Sequence, residues 1–347
     1  MADRDIIVVG ASAGGIEALR QLVRSLPDGL DASLFVTIHF PSHGTSLLPK
    51  ILNRAGRLPV VHPSEHESIV PGRIYIAPPD FHLLFSRDQI RLVRGPRENG
   101  HRPAIDPMFR SAAVTFGPRV IGVVLTGSLD DGTSGLAAIK RHGGLALVQD
   151  PDDALFPSMP QSAIEHVAVD RVVAIRAMWP ALERLMNSPI EKPEFQIMTH
   201  DATENELAAA DLSTIEQPER HPGNVSAFSC PDCGGVLWEL RDGELVRYRC
   251  RVGHAWTSDG LVAKQSEILD EALWTALRSI EESVSLSRQL SQRHGARGNA
   301  RLAERFQQQA DAMEQRAEVI RLALMQGREI QATAEESEPE QARATGD

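Results

Sequence analysis

The stretch Asp5-Ile6-Ile7-Val8-Val9-Gly10-Ala11-Ser12-Ala13-Gly14-Gly15 decides how the rest of the chain is read. A β-rich apolar run that ends in small residues and passes into a helical pattern is a strand–turn–helix. It sets Ser12 on the tight turn at the carboxyl edge of a sheet, where open α/β folds bind ligands. The helix beyond offers unpaired amides to a developing oxyanion. A dinucleotide-binding loop would need glycine where Ser12 stands and an acidic residue closing a second strand about twenty residues on. Neither is present, so the turn reads as the seat of a nucleophile.

Outward from this turn, strand-like and helical runs alternate as far as about residue 187. Strands are expected at 5–10, 34–39, 73–77, 119–125, 144–149 and 171–175, and helices at 15–26, 45–54, 106–116, 132–142 and 178–187. Phe81–Ser86 and Ile90–Arg94 read as an inserted antiparallel hairpin. This alternation predicts an α/β domain over 1–188, a doubly wound, mostly parallel sheet with helices on both faces.

Composition then shifts. Residues 189–224, with Pro189, Pro193, Pro218 and Pro222 among acidic and small residues, read as a linker. A compact cysteine-containing module is expected at 225–257 and a helical hairpin at 258–328. In that hairpin Leu269, Leu273, Leu277, Ile280 and Val284 recur at helical spacing, as do Leu302, Phe306, Ala310, Met313, Ala317, Ile320 and Leu324. Gly295 and Gly298 break the pattern between them. Residues 329–347 are acidic without an apolar stripe and are expected to be disordered.

The bulk numbers exclude several classes. With 347 residues and 42% hydrophobic content the chain can build a large core, and 5% aromatics make it chiefly aliphatic. A net charge of −11 argues against a nucleic-acid partner held through phosphates. No apolar run reaches membrane-spanning length, so no membrane insertion is expected. The first strand begins almost at once, leaving no room for a signal peptide. The three cysteines all fall between Cys230 and Cys250, which is no disulfide framework and fits a reducing, cytoplasmic setting.

A serine hydroxyl needs a base to take its proton and an acceptor to hold that base. His39 ends the strand Leu34-Phe35-Val36-Thr37-Ile38, and if that strand lies beside the first, His39 and Ser12 share an edge. The run Val120–Thr126 leads into Gly127-Ser128-Leu129-Asp130-Asp131-Gly132. Either aspartate could orient the histidine, or simply cap the following helix. His101, Arg102 and Asp106 precede another helix and could hold substrate or tie the loop down. His62, His66 and His82 share no metal-ligand spacing and read as loop residues.

Six collinear strings then resemble one family. They are Gly10–Gly15, Ile38-His39-Phe40-Pro41, Tyr75–Leu83, His101–Asp106, Val124–Gly132 and Ser158-Met159-Pro160. Over about residues 5–187 the chain is similar to the catalytic domain of chemotaxis protein-glutamate methylesterases (CheB-type). The resemblance implies Ser12 as nucleophile, His39 as base and Asp131 as acid, with Asp130 non-catalytic. It also implies hydrolysis of γ-glutamyl methyl esters on chemoreceptor-like proteins, with deamidation of receptor glutamines as a second activity and no cofactor for catalysis. Backbone amides of Ala13 and Ser128 would hold the oxyanion. Two departures stand out: position 13 is Ala where the family often has Thr, and only four residues precede the first strand. The second leaves no room for the family's receiver domain, so control would be absent or supplied by a regulator in trans.

Cys230-Pro231-Asp232-Cys233-Gly234-Gly235 and Cys250-Arg251-Val252-Gly253-His254 together make C-x2-C-x16-C-x3-H. Cys230, Cys233, Cys250 and His254 supply the four ligands of a closed, structural zinc site in a zinc-ribbon-like module. Val236–Leu240 and Leu245–Arg249 would pair around Asp242-Gly243. A rival to the enzyme is a regulatory scaffold acting through this module and the helical hairpin. The hairpin's apolar stripes could pack on the α/β domain, meet a second copy, or dock on receptor helices.

Overall fold

The computed structural model describes residues 3–39, 46–190, 223–242 and 245–337. Phe40 and Pro41 of the second string, most of the expected linker, Gly243 and the last ten residues lie outside them. The chain divides into two compact units, residues 1–262 and 263–347.

In the first unit seven parallel strands form one sheet in the order β3-β4-β2-β1-β7-β8-β9. These are β1 (Ile6–Ala11), β2 (Ser33–Ile38), β3 (Val60–Val61), β4 (Ile74–Ile76), β7 (Val120–Val124), β8 (Leu145–Gln149) and β9 (Arg171–Val173). The hairpin β5 (His82–Ser86) and β6 (Gln89–Val93) stands apart as an antiparallel pair. Every residue of β1, β2 and β7 is buried, which is why these segments read as continuous apolar runs rather than alternating ones. Ile7, Val9 and Val36 pack on one face with Leu19, Leu22 and Val23 of α1 (Gly15–Ser25) and Leu182 of α6 (Met178–Met186). Val8, Phe35 and Val124 pack on the other. They meet Phe109 of α3 (Ile105–Phe116), Leu136 of α4 (Thr133–Arg141) and Met159 of α5 (Ser158–His166).

Strand order reverses at β1, with β2 on one side and β7 on the other. The carboxyl ends of these three strands therefore meet at the topological switch point. Three elements differ from the sequence reading. β3 is too short to show a period. No helix is expected at α5, and Pro160 stands in its first turn, where amides have no intrahelical partner and proline is tolerated. α2 (Leu48–Asn53) is shorter than the helix expected at 45–54.

The cysteine module is a four-stranded antiparallel sheet, β10 (Asn224–Ser229), β11 (Val236–Asp242), β12 (Leu245–Cys250) and β13 (Ala255–Thr257). Its small core is Cys230, Leu237, Tyr248, Cys250, Trp256 and Leu261. This module falls within the first unit. Arg249 of β12 donates to Glu98 at 2.8 Å, and Arg110 of α3 donates to the same carboxylate at 2.9 Å, all three side chains being buried.

The second unit is a helix pair. α7 (Ser258–Ala296) begins in the first unit and runs into the second, and α8 (Ala300–Ser337) returns. Leu277, Ala317 and Leu324 are buried between them. Arg321–Glu281 and Ser291–Ala303 contacts run in opposite directions along the two helices, so the pair is antiparallel. Gly298, at φ 77°, closes α7: its N–H bonds Gly295 O and the Asn299 N–H bonds His294 O. α8 continues to Ser337, past residue 328 where the hairpin was expected to end.

Candidate active site and metal centre

Parallel register aligns Ala11 with Ile38 and Gly10 with Val124. The residues that follow these strands share one edge. Ser12 leaves β1, His39 leaves β2, and Ser128–Asp131 follow β7. The turn at Ser12 is tied to the β7 loop: the Ser12 N–H donates to Thr126 O at 3.0 Å, and Thr126 Oγ1 donates to Ala13 O at 3.1 Å. Gly127 lies flush against it. A Cβ there would sit 2.9 Å from Ser12 Cβ and 2.0 Å from Met159 Sδ, so only glycine allows this approach.

Ser12 Oγ lies 2.9 Å from His39 Nδ1, and His39 Nε2 lies 2.7 Å from Asp131 Oδ2. The imidazole thus turns Nδ1 to the serine and carries its proton on Nε2, towards the carboxylate. Asp131 is buried, and burial by itself would raise its pKa. The hydrogen bond and charge of His39, with the Ile105 N–H at 2.7 Å, outweigh burial and hold it well below the usual carboxylate range. Its other oxygen accepts from Asn99 Nδ2 at 3.1 Å and the Asp106 N–H at 3.2 Å. Asp131 remains anionic, which is what a carboxylate that orients and stabilises an imidazolium requires.

Asp130 points elsewhere. It accepts from Thr257 Oγ1 at 2.7 Å, and burial pushes its pKa up to about 6. Asp106 accepts the Gly132 and Gly135 amides through one oxygen, and burial together with the Asp131 charge raises its pKa well above the usual range. Of the loop residues weighed for substrate contact, only the His101 side chain touches the trio, its ring stacked on His39 at 3.7 Å. Arg102 is held by Asp80 at 2.6 Å and by Gly95 O at 2.7 Å. His62 bonds Ile76 O, His82 bonds Pro96 O, and His66 pairs with Glu65 at the surface. Among the described residues, the Ala13 and Ser128 amides donate to no protein acceptor. Sequence reasoning missed Asn99, although Asn99-Gly100 is a strong turn dipeptide. Both residues have positive φ (51° and 75°), and Glu98 and His101 exchange backbone hydrogen bonds across them, as in a type I′ turn.

Cys230, Cys233, Cys250 and His254 converge, with their ligand atoms all within 4.8 Å of one another. The Cys233 and Cys250 sulfurs are 3.6 Å apart, and His254 Nδ1 lies 3.7 Å from Cys230 Sγ and 3.5 Å from Cys250 Sγ. Tetrahedral zinc with bonds of about 2.3 Å to sulfur and about 2.0 Å to nitrogen needs ligand separations of about 3.5–3.8 Å. The donor set fits. Gly234 (φ 69°) and Gly253 (φ 102°) make the tight turns behind each ligand pair.

Residues 7–182 match the CheB methylesterase family. A Leptospira interrogans relative, which carries the name protein-glutamate methylesterase/protein-glutamine glutaminase provisionally, is 36% identical over 189 residues, 54% of this chain and 98% of that one. An Anaeromyxobacter dehalogenans protein-glutamate methylesterase/protein-glutamine glutaminase is 40% identical over 184 residues, 52% of this chain and 51% of that one. The crystal structure of the Thermotoga maritima CheB methylesterase catalytic domain superposes with a TM-score of 0.49 at 32% identity, covering 53% of this chain and 97% of that one.

Proposed function

The chain belongs to the CheB methylesterase family, and from that premise we propose that Ser12, His39 and Asp131 hydrolyse γ-glutamyl methyl esters on a chemoreceptor-like protein. The observation that carries the residue assignment is the unbroken chain of hydrogen bonds from Ser12 Oγ through His39 to Asp131 at the sheet's switch point. Ser12 Oγ attacks the ester carbonyl as its proton passes to His39 Nδ1. The oxyanion of the tetrahedral intermediate is held by the Ala13 and Ser128 amides. The intermediate collapses, methanol leaves with the proton from His39, and a glutamyl-serine ester remains. Water, activated by the same imidazole, releases glutamate and free serine. With a glutamine side chain the leaving group is ammonia and the product again glutamate.

A protein substrate suits this edge, where Leu155 is 73% exposed beside the nucleophile turn and Leu129 and Phe156 are exposed as well. The Cys₃His cluster would hold zinc in a structural role, its four positions all filled by protein. The helix pair of the second unit keeps Leu269, Val319 and Met325 exposed. It is a candidate for self-association or for binding a regulator in trans.

Methanol release from methylated receptor membranes tests the assignment. Nucleophile and base act as a unit, so Ser12→Ala, His39→Ala and the double variant should lose similar, non-additive amounts, up to about 10⁶-fold in kcat. Asp131→Asn should cost less, and Asp130→Asn little. Near wild-type release by Ser12→Ala would overturn the serine mechanism.

A further inference from the structure

The loop 97–101 touches the reacting trio twice. Asn99 Nδ2 donates to Asp131 Oδ1 at 3.1 Å, and the His101 ring stacks on His39 at 3.7 Å. The same loop is built onto the cysteine module. The Asn99 N–H donates to Ala255 O at 2.8 Å, and the Ala255 N–H donates to Arg97 O at 3.2 Å. The Thr257 N–H donates to Asn99 Oδ1 at 3.0 Å. Trp256, 2% exposed, lies beneath Gly100, where a Cβ would already meet it at 3.4 Å. The buried Glu98 bonds both Arg249 of the module and Arg110 of α3. β13 thus acts as an added edge for this loop, and the Asn99 amide spans the gap between β13 and the carboxylate.

β13 is only three residues long and follows directly from the metal cluster. Cys250 ends β12 and His254 precedes β13. The turn between them is closed by the Gly253 N–H on Cys250 O and the Cys250 N–H on His254 O. A metal held by Cys250 and His254 would fix the start of β13, while Cys230 and Cys233 anchor it to the other side of the module.

We propose that the metal module is a working part of the esterase: metal binding fixes β13, and β13, through the positioning residue Asn99, holds Asp131 and hence His39 in register with Ser12. The proposal rests on the serine mechanism and on the metal site assigned above. It makes turnover depend on metal although no metal touches the substrate, and it couples metal availability to receptor demethylation. Chelation should then lower esterase activity, contrary to the independence a linker-tethered module would show.

The test uses full-length protein with metal content measured by elemental analysis. Asn99→Ala should keep its metal and bind a small ester with unchanged KM, but lose about tenfold to a hundredfold in kcat, as misplacement of a catalytic group does. It should also lose the downfield proton resonance of the His39–Asp131 hydrogen bond. Cys233→Ser, or chelation where that variant fails to fold, should lose the metal, raise amide exchange at residues 97–101 and lower kcat comparably. In the double variant Asn99→Ala/Cys233→Ser the losses should fall well short of multiplying, because both act through one contact. Full kcat and unchanged exchange after metal loss would overturn the coupling while leaving the esterase assignment intact. Multiplying losses would overturn Asn99 as the link. Activity in Ser12→Ala, or native protein without metal, would instead refute the reading on which the coupling rests.

Discussion

Asp130 and Asp131 are neighbours in the chain with opposite electrostatic fates. Asp131 is surrounded by donors, two of them the Ile105 and Asp106 amides at the start of α3, and stays ionised. Asp130 has Thr257 Oγ1 and little solvent, and is 5% exposed. Because burial raises its folded-state pKa to about 6, the unfolded chain ionises first as pH rises. Folding stability is therefore lost across roughly pH 4 to 6 and stays lower above, by up to about 3 kcal/mol. Asparagine can accept the same hydrogen bond without charge. Asp130→Asn should match the wild type in denaturant midpoint near pH 4 and exceed it progressively up to pH 6 and beyond. A difference that does not change with pH would mean that Asp130 is not desolvated. The identity of residue 131, not 130, as the histidine's partner came from family resemblance; position alone left both open.

Among the elements, what the sequence declared was what local pattern can encode. β1 and β7 are apolar throughout because helices cover both their faces, and the Cys-x₂-Cys and Cys-x₃-His spacings are local by nature. β3, with two residues, has no period to read. The support of Asp131 by Asn99 and the docking of Arg249 on Glu98, 151 residues apart in the chain, depend on tertiary contacts that no local pattern carries. The module is joined to the α/β domain through the buried Glu98, which Arg249 and Arg110 share. A chain ending at residue 262 should keep wild-type kcat on a small ester. A chain ending at residue 188, which lacks β10–β13, should lose about tenfold or more. Equal activity of the two would show that the α/β domain needs no support from the module.

For the whole molecule, the proposed function rests on one sheet edge. Three adjacent parallel strands deliver Ser12, His39 and the loop bearing Asp131 to the switch point, and a second sheet braces the loop behind them. Among the described residues no helix is long and apolar enough to cross a membrane. The chain spans nearly all of the Leptospira relative but about half of the Anaeromyxobacter one, so the methylesterase region is what they share. The central claim is that this edge cleaves esters through a covalent intermediate on Ser12. Rapid acid quench of full-length protein turning over a γ-glutamyl methyl ester peptide, followed by peptide mass spectrometry, tests it most directly. The account predicts a glutamyl adduct on the peptide containing Ser12, present in wild type and absent in His39→Ala. An adduct on another residue, or methanol release by Ser12→Ala at the wild-type rate, would contradict it.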